Sequence, residues 1–226
     1  MTSSRDTSFP GKDGVEQKTD IAGVILAGGR SRRMGGGVKA LADLAGQPML
    51  QVVIDRIRPQ VGSLVLSVER ISPEWGPFGL EQVPDPRPGS HGPLGGLLAA
   101  LDRAKQEGAA FLALVPCDAP FLPENLVPAL EQAAATNARS VSVICYAGRI
   151  QPVFSLWSTG LTDRIREAVS NQQMAGFMQF LRVQEHAILD WPEQAQNPFF
   201  NINDPAALEQ AQQRIEQETD AEQCSV

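Results

Sequence analysis

The chain is 226 residues long, with 42% hydrophobic and 20% charged residues, and 19 Lys+Arg against 26 Asp+Glu leave a net charge of −7. This composition is ordinary for a soluble globular protein and excludes a wholly disordered chain, and the length suits one large domain or two small ones. The acidic balance argues against general nucleic-acid binding, which runs on clustered cations, and no apolar run reaches the roughly 18–20 residues that span a bilayer.

Residues 1–20 are polar, lack apolar periodicity and show no signal-peptide pattern, so they are expected to be a disordered extension of a cytoplasmic protein. Ile21–Ala27 (IAGVILA) reads as a buried strand that stops at Gly28-Gly29. Leu50, Val53, Ile54 and Ile57 follow helical spacing, and LVLSV at Leu64–Val68 is the next strand. Leu94, Leu97, Leu98 and Leu101 mark a helix with Pro93 suited to its first turn. Then come a strand at Phe111–Val115, a helix over Pro123–Ala135 and a strand at Ser140–Tyr146. Leu161, Ile165 and Val169 mark a further helix, and Pro205–Gln217 closes the series. Residues 217–226 are expected to be a disordered tail, which leaves 21–216 as one domain.

Strands alternating with helices, and strands that are apolar almost throughout, predict an α/β fold. The expected form is a single-domain three-layer α/β/α sandwich on a mostly parallel sheet. Ligands of such sheets sit beyond the carboxyl ends of the strands, so the residues just after each strand matter most.

Leu26–Leu41 (LAGGRSRRMGGGVKAL) leaves the first strand with five glycines and four cations, Arg30, Arg32, Arg33 and Lys39, and no acid stands between Asp20 and Asp43. Glycines let backbone amides approach an anion closely, and cations supply charge-assisted bonds to phosphate oxygens. A solvated glycine loop is the plainer reading, but the position directly after a buried strand favours a phosphate cradle. The P-loop pattern GxxxxGK[ST] is absent. GGGVKA at Gly35–Ala40 matches GxGxxA but lies eight residues past Ala27, too far for a dinucleotide fingerprint.

Asp118 follows the strand FLALV and stands between Pro116 and Pro120, a placing that suits a Mg²⁺ ligand and equally a helix cap or turn. Asp85, in VPDPRP, either accepts from a base or ribose or serves a proline-rich turn. Asn203 and Asp204 precede Pro205 as N-cap candidates; an Asn carbonyl there could instead face a metal. His91 lies in a glycine-rich loop, His186 reads as structural, and Gln151–Phe154 is a binding segment by context only. Cys117, Cys145 and Cys224 are too few and too scattered for a disulfide framework and are expected to be reduced.

LAGGRSRRMGG with Lys39, then VPDP, GPLGGLL, PCDAP and NINDP, resemble in order and approximate spacing the molybdenum cofactor guanylyltransferase branch of the nucleotidyltransferases. The resemblance covers about Ile21 to Gln212 and implies a nucleoside-diphospho-sugar transferase-like fold. The implied reaction is GMP transfer from GTP to molybdenum-molybdopterin with release of pyrophosphate, aided by Mg²⁺. Leu26, Ala27, Gly28, Gly29 and Asp85 are then nucleotide contacts, Lys39 holds phosphates, Asp118 holds Mg²⁺ beside the nucleotide, and Asn203 is a second metal-side residue. Molybdoenzymes or their delivery chaperones are the implied recipients. Two departures stand out: Val38 where an acid or proline usually precedes the lysine, and Ser67 where the family has an asparagine.

In this reading Arg33, Lys39 and Asp118 form the candidate catalytic set. They would neutralise charge as the terminal phosphate of the pterin attacks the α-phosphorus of GTP in line. Three rival readings are a molybdopterin cytidylyltransferase or sugar-phosphate nucleotidyltransferase, an NAD(P)-dependent oxidoreductase, and a non-catalytic cofactor carrier.

Overall fold

The computed structural model describes residues 20–27, 38–85, 92–171 and 174–223. Among the described residues, nine strands and six α-helices follow in chain order: β1 Ile21–Leu26, β2 Asp43–Leu44, β3 Gln47–Pro48, α1 Met49–Ile57, β4 Ser63–Val68, β5 Glu81–Pro84, α2 Gly92–Gln106, β6 Phe111–Pro116, α3 Leu126–Thr136, β7 Val141–Tyr146, β8 Arg149–Ser158, α4 Thr162–Ser170, α5 Phe177–Leu181, β9 Ala187–Asp190 and α6 Pro205–Gln223. Seven strands form one sheet in the order β5-β4-β1-β6-β8-β7-β9, and β2 and β3 make a separate hairpin. β1 pairs in parallel with β4 and β6, β4 with β5, and β7 with β9. Among the described strands of the seven-stranded sheet, β8 alone runs antiparallel, against both β6 and β7.

Side chains alternate across the central strands, so each strand feeds two cores. Ile21 and Ile25 of β1 join Ala113 and Val115 of β6 under α1 and α3. Ala22 and Val24 join Leu112 and Leu114 under α2 and α4. Burial on both sides is why these strands read as continuous apolar runs. α2 approaches the sheet closely because Gly96 carries no Cβ: one there would stand 2.6 Å from Ser67 Oγ. Gly92 opens the same helix at a φ of +53°, and a Cβ there would lie 2.6 Å from the Ala175 carbonyl oxygen.

Several boundaries differ from those expected. α3 begins at Leu126 rather than Pro123, because the Pro123 carbonyl is spent in a turn on the Leu126 N–H (3.2 Å). α6 runs to Gln223, so residues 217–223, expected in the disordered tail, are helical; Glu, Gln and Ala are good helix formers. β8 was not expected as a strand, and Gln151–Phe154 lies within it. Its register against β7 jumps from Val143↔Ser155 to Ile144↔Gln151, leaving Pro152–Phe154 bulged out of the ladder. A bulge is where a strand tolerates a proline that has no N–H to donate. Among the described residues no helix is long and apolar enough to cross a membrane.

Candidate active site

The carboxyl ends of three strands are stitched together. Leu26 C=O accepts from the Cys117 N–H (3.1 Å), and the Ala27 N–H donates to Ser67 C=O (2.8 Å). The Asp85 N–H donates to Val68 C=O (2.9 Å), which extends the same edge to the outer strand β5. Leu26, Ala27, Asp85 and Asp118 therefore all leave one edge of the sheet, the edge at which parallel sheets bind ligands.

Asp118 is fixed through its main chain: its C=O accepts the Ile202 N–H at 2.8 Å. Its carboxylate Oδ2 pairs with Lys39 Nζ, 79 residues earlier in the chain. Lys39 starts a short 3₁₀ turn, Lys39–Leu41, and its Nζ also donates to Asn203 Oδ1 at 2.7 Å. Three residues from three distant segments thus meet at one ammonium, with the Lys39 and Asp118 side chains only 14% and 17% exposed. A charge-assisted bond in such a part-buried place is stronger than an exposed pair.

The helix-cap readings divide between these residues. Asn125, not Asp118, occupies the N-cap of α3, and it makes no side-chain cap bond. Asp204 is the cap of α6, its Oδ1 accepting the Ala207 N–H at 2.9 Å. That division of labour leaves the Asn203 carbonyl to Lys39.

Asp118 Oδ1 is buried and has no hydrogen-bond partner among the described residues. An unpaired buried carboxylate oxygen is costly, and a hard cation is the partner that would satisfy it. The available donors are the Asp118 carboxylate and the Asn203 amide oxygen. Among the described residues no group of three His, Cys, Asp or Glu comes together. These oxygens could hold a hard divalent cation that fills its other positions with water and phosphate.

Gly28, Gly29, Arg33 and His91 lie outside the described residues. Ser67 is 4% exposed, roofed by Gly96 of α2. His186 makes a local contact, Nδ1 to Gln184 C=O at 2.8 Å. Two residues that sequence reasoning passed over fasten the segment after Asp118. Arg56 Nη1 donates to Leu122 C=O (3.4 Å), Gln60 Nε2 donates to Pro123 C=O (2.9 Å), and Gln60 Oε1 accepts the Val127 N–H (2.9 Å). Nothing in the local pattern of the turn after α1, Arg58–Gln60, marks Gln60 as a buried amide.

Cys117 keeps some solvent contact as a residue, yet burial, reinforced by the Asp118 charge, pushes its thiol up to about 12 from an ordinary 9.0. An unfolded thiol would lose its proton first, so this residue's contribution to stability falls as pH rises from about 9 towards 12. The raised pKa cuts the thiolate fraction, and burial limits access, so iodoacetamide at pH 8 is expected to label Cys117 at least about tenfold more slowly in the folded than in the unfolded chain. Mass spectrometry of the peptide carrying residue 117 reads this directly; equal rates would contradict it.

Residues 23–188 match the family profile described as MobA-like NTP transferase domain. The chain is 39% identical over 191 residues to the molybdenum cofactor guanylyltransferase of Rhodopseudomonas palustris (strain BisB5), covering 84% of this chain and 91% of the relative. It is 35% identical over 214 residues to the protein of that name from Bradyrhizobium sp. (strain ORS 278), covering 94% and 95%. Among solved structures, molybdopterin-guanine dinucleotide biosynthesis protein A of Archaeoglobus fulgidus superposes with a TM-score of 0.71 at 18% identity, over 87% of this chain and 99% of that one. A Mycobacterium tuberculosis protein solved in complex with manganese gives 0.63 at 16% identity, over 86% and 98%.

Proposed function

The chain belongs to the MobA-like NTP transferase family and is a nucleotidyltransferase, and we propose that it transfers GMP from GTP to the terminal phosphate of molybdenum-molybdopterin. The products are the guanine dinucleotide cofactor and pyrophosphate. The observation that carries this reading is the meeting of Lys39, Asp118 and Asn203 at the carboxyl edge of the sheet. The relatives of 35–39% identity, named guanylyltransferases, set the nucleotide.

The reaction joins two anions, so charge repulsion is its main barrier. A new P–O bond forms between the pterin phosphate and the α-phosphorus, the bond to the β-phosphate oxygen breaks, and its electron pair leaves with pyrophosphate. A phosphate monoester is already ionised near neutral pH, its second pKa being about 6. No general base is required, and the meeting of one Lys, one Asp and one Asn fits that. Lys39 would transfer its hydrogen bonds from Asp118 and Asn203 to phosphate oxygens when the nucleotide arrives. Asp118, with the Asn203 oxygen, would hold Mg²⁺, which when bound supplies Lewis-acid neutralisation of the phosphates; a structural neighbour solved with manganese supports a divalent ion. The amides of Leu26–Arg30 and the Arg33 guanidinium would complete the charge neutralisation in this reading, and Asp85 would contact the nucleotide. The reaction belongs in the cytoplasm, where GTP is held, and its product passes to molybdoenzymes or their delivery chaperones.

A melting screen of the four nucleoside triphosphates with and without Mg²⁺ tests the choice of nucleotide. A ligand at 100 times its Kd stabilises by about 2.7 kcal/mol, which for a domain of this size raises the midpoint by about 5–10 °C. GTP with Mg²⁺ is expected to give that shift, and adding molybdenum-molybdopterin to release pyrophosphate. A larger shift with CTP, and pyrophosphate release from CTP, would move the assignment to a cytidylyltransferase.

A further inference from the structure

The three residues of the site are each anchored beside a small apolar cluster that is distinct from the two main cores. Leu44, Met49, Phe121, Ile202 and Ala211 form it, with Ala207, Leu208 and Ile215 packed around. Leu44 follows Lys39 in the chain, Phe121 follows Asp118, and Ile202 immediately precedes Asn203. The wall that closes this cluster is α6, a helix made mostly of polar residues that carries none of the expected site groups.

α6 also reaches each of the three segments through polar side chains. Gln212 Nε2 donates to Asp43 C=O (3.4 Å), in the segment that follows Lys39. Arg214 sets its guanidinium carbon 3.7 Å from the centroid of the Phe121 ring. The same guanidinium donates from Nη1 to Asn197 C=O (3.0 Å), at the start of the stretch that leads to Asn203. One side chain therefore bridges the segment of Asp118 to the segment of Asn203, and the Ile202 N–H to Asp118 C=O bond joins the same two segments nearer the site.

We propose that Arg214 is a positioning residue: it holds the Phe121 and Asn197 segments in register, and so sets the Asp118 carboxylate and the Asn203 carbonyl against Lys39. It acts through those two segments. Phosphoryl transfer is sensitive to such placement, since an error of about 1 Å can cost about 10² in rate. The proposal rests on the proposed function only in taking Lys39, Asp118 and Asn203 as the reacting site.

The test compares Arg214→Met, Arg214→Lys and Arg166→Met in the full chain. Arg166 is the control: it binds Asp102 through two bonds (2.7 and 3.1 Å) on the other face of the sheet. Hydrogen–deuterium exchange of the free protein is the first readout and needs no substrate. In Arg214→Met, exchange across 117–122 and 199–204 is expected to rise about tenfold while β1, β4 and β6 stay as in wild type. Arg214→Lys, which keeps the cation over the ring, is expected to recover much of the protection. Arg166→Met is expected to leave both segments unchanged. The second readout is the Mg²⁺ concentration for half-maximal pyrophosphate release, expected to rise about fivefold in Arg214→Met and not in Arg166→Met. Unchanged exchange in the two segments, or a rise shared by the central strands, would overturn the positioning role. Failure of wild type to use GTP would instead overturn the proposed function and leave the exchange result standing.

Discussion

Asp118→Ala is expected to lower pyrophosphate release by about 10²–10³, the loss typical of removing one preorganised group that faces developing charge. The fold should survive, because the bond that ties this position to the last helical layer is a main-chain one, Ile202 N–H to Asp118 C=O, and alanine keeps it. The ion pair lost with Lys39 is part-buried, and a hydrogen bond to a charged group is worth about 1.5–3 kcal/mol net, a loss offset by removing the carboxylate's own burial. Lys39 would retain the Asn203 oxygen as a partner. Oδ1, buried and unpaired, disappears along with its desolvation cost, so the midpoint of thermal unfolding should move little or even rise. What the variant loses is the carboxylate that a divalent cation needs, so the residual rate should depend only weakly on Mg²⁺. Rates measured across a Mg²⁺ titration, beside the melting midpoint, separate these effects. A near wild-type rate with an ordinary Mg²⁺ dependence would remove Asp118 from the mechanism.

The sheet was legible where strands are buried on both faces, because IAGVIL, SLVLSV and FLALVP are apolar almost throughout. β8 was not, because Pro152 interrupts its pattern and only the bulge opposite Val143/Ile144 lets the chain carry it. The β2–β3 hairpin, two residues a side, is too short to leave a periodic signal. At the site, Asp118 stood out because it follows a recognisable buried strand, whereas Lys39 was one of four cations after the first strand and was picked out by the family resemblance. Asn203 could not be separated from Asp204, since both precede Pro205 and the choice of cap is made by geometry. The pairing of Lys39 with Asn203 spans 164 residues, and no local pattern encodes it. The same holds for the cluster under α6: Leu44, Phe121 and Ile202 come from three separate stretches, and only the folded chain makes them neighbours.

Lys39→Met should show two effects of opposite sign. In the free protein the ammonium lies against Asp118 Oδ2 and the Asn203 oxygen, the same oxygens a divalent cation would use. A bare metal ion must therefore either displace that ammonium or bind at Oδ1 beside a like charge. A hydrogen bond to a charged group is worth about 1.5–3 kcal/mol net, so removing the competitor is expected to tighten the binding of Mn²⁺ alone by about tenfold. Once a triphosphate is present the balance reverses. Its negative charge draws the ammonium off Asp118, and cation and lysine then share the phosphates instead of contesting one carboxylate. Methionine cannot take that second role, so GTP binding should weaken and turnover should fall by about 10²–10³. The wild-type protein is accordingly expected to bind the metal weakly until nucleotide arrives, and the variant to bind it well and use it badly. Titration of Mn²⁺ by its paramagnetic signal, with and without GTP, reads both halves. Unchanged or weaker binding of the bare ion in Lys39→Met would show that the ammonium does not hold the place of the metal.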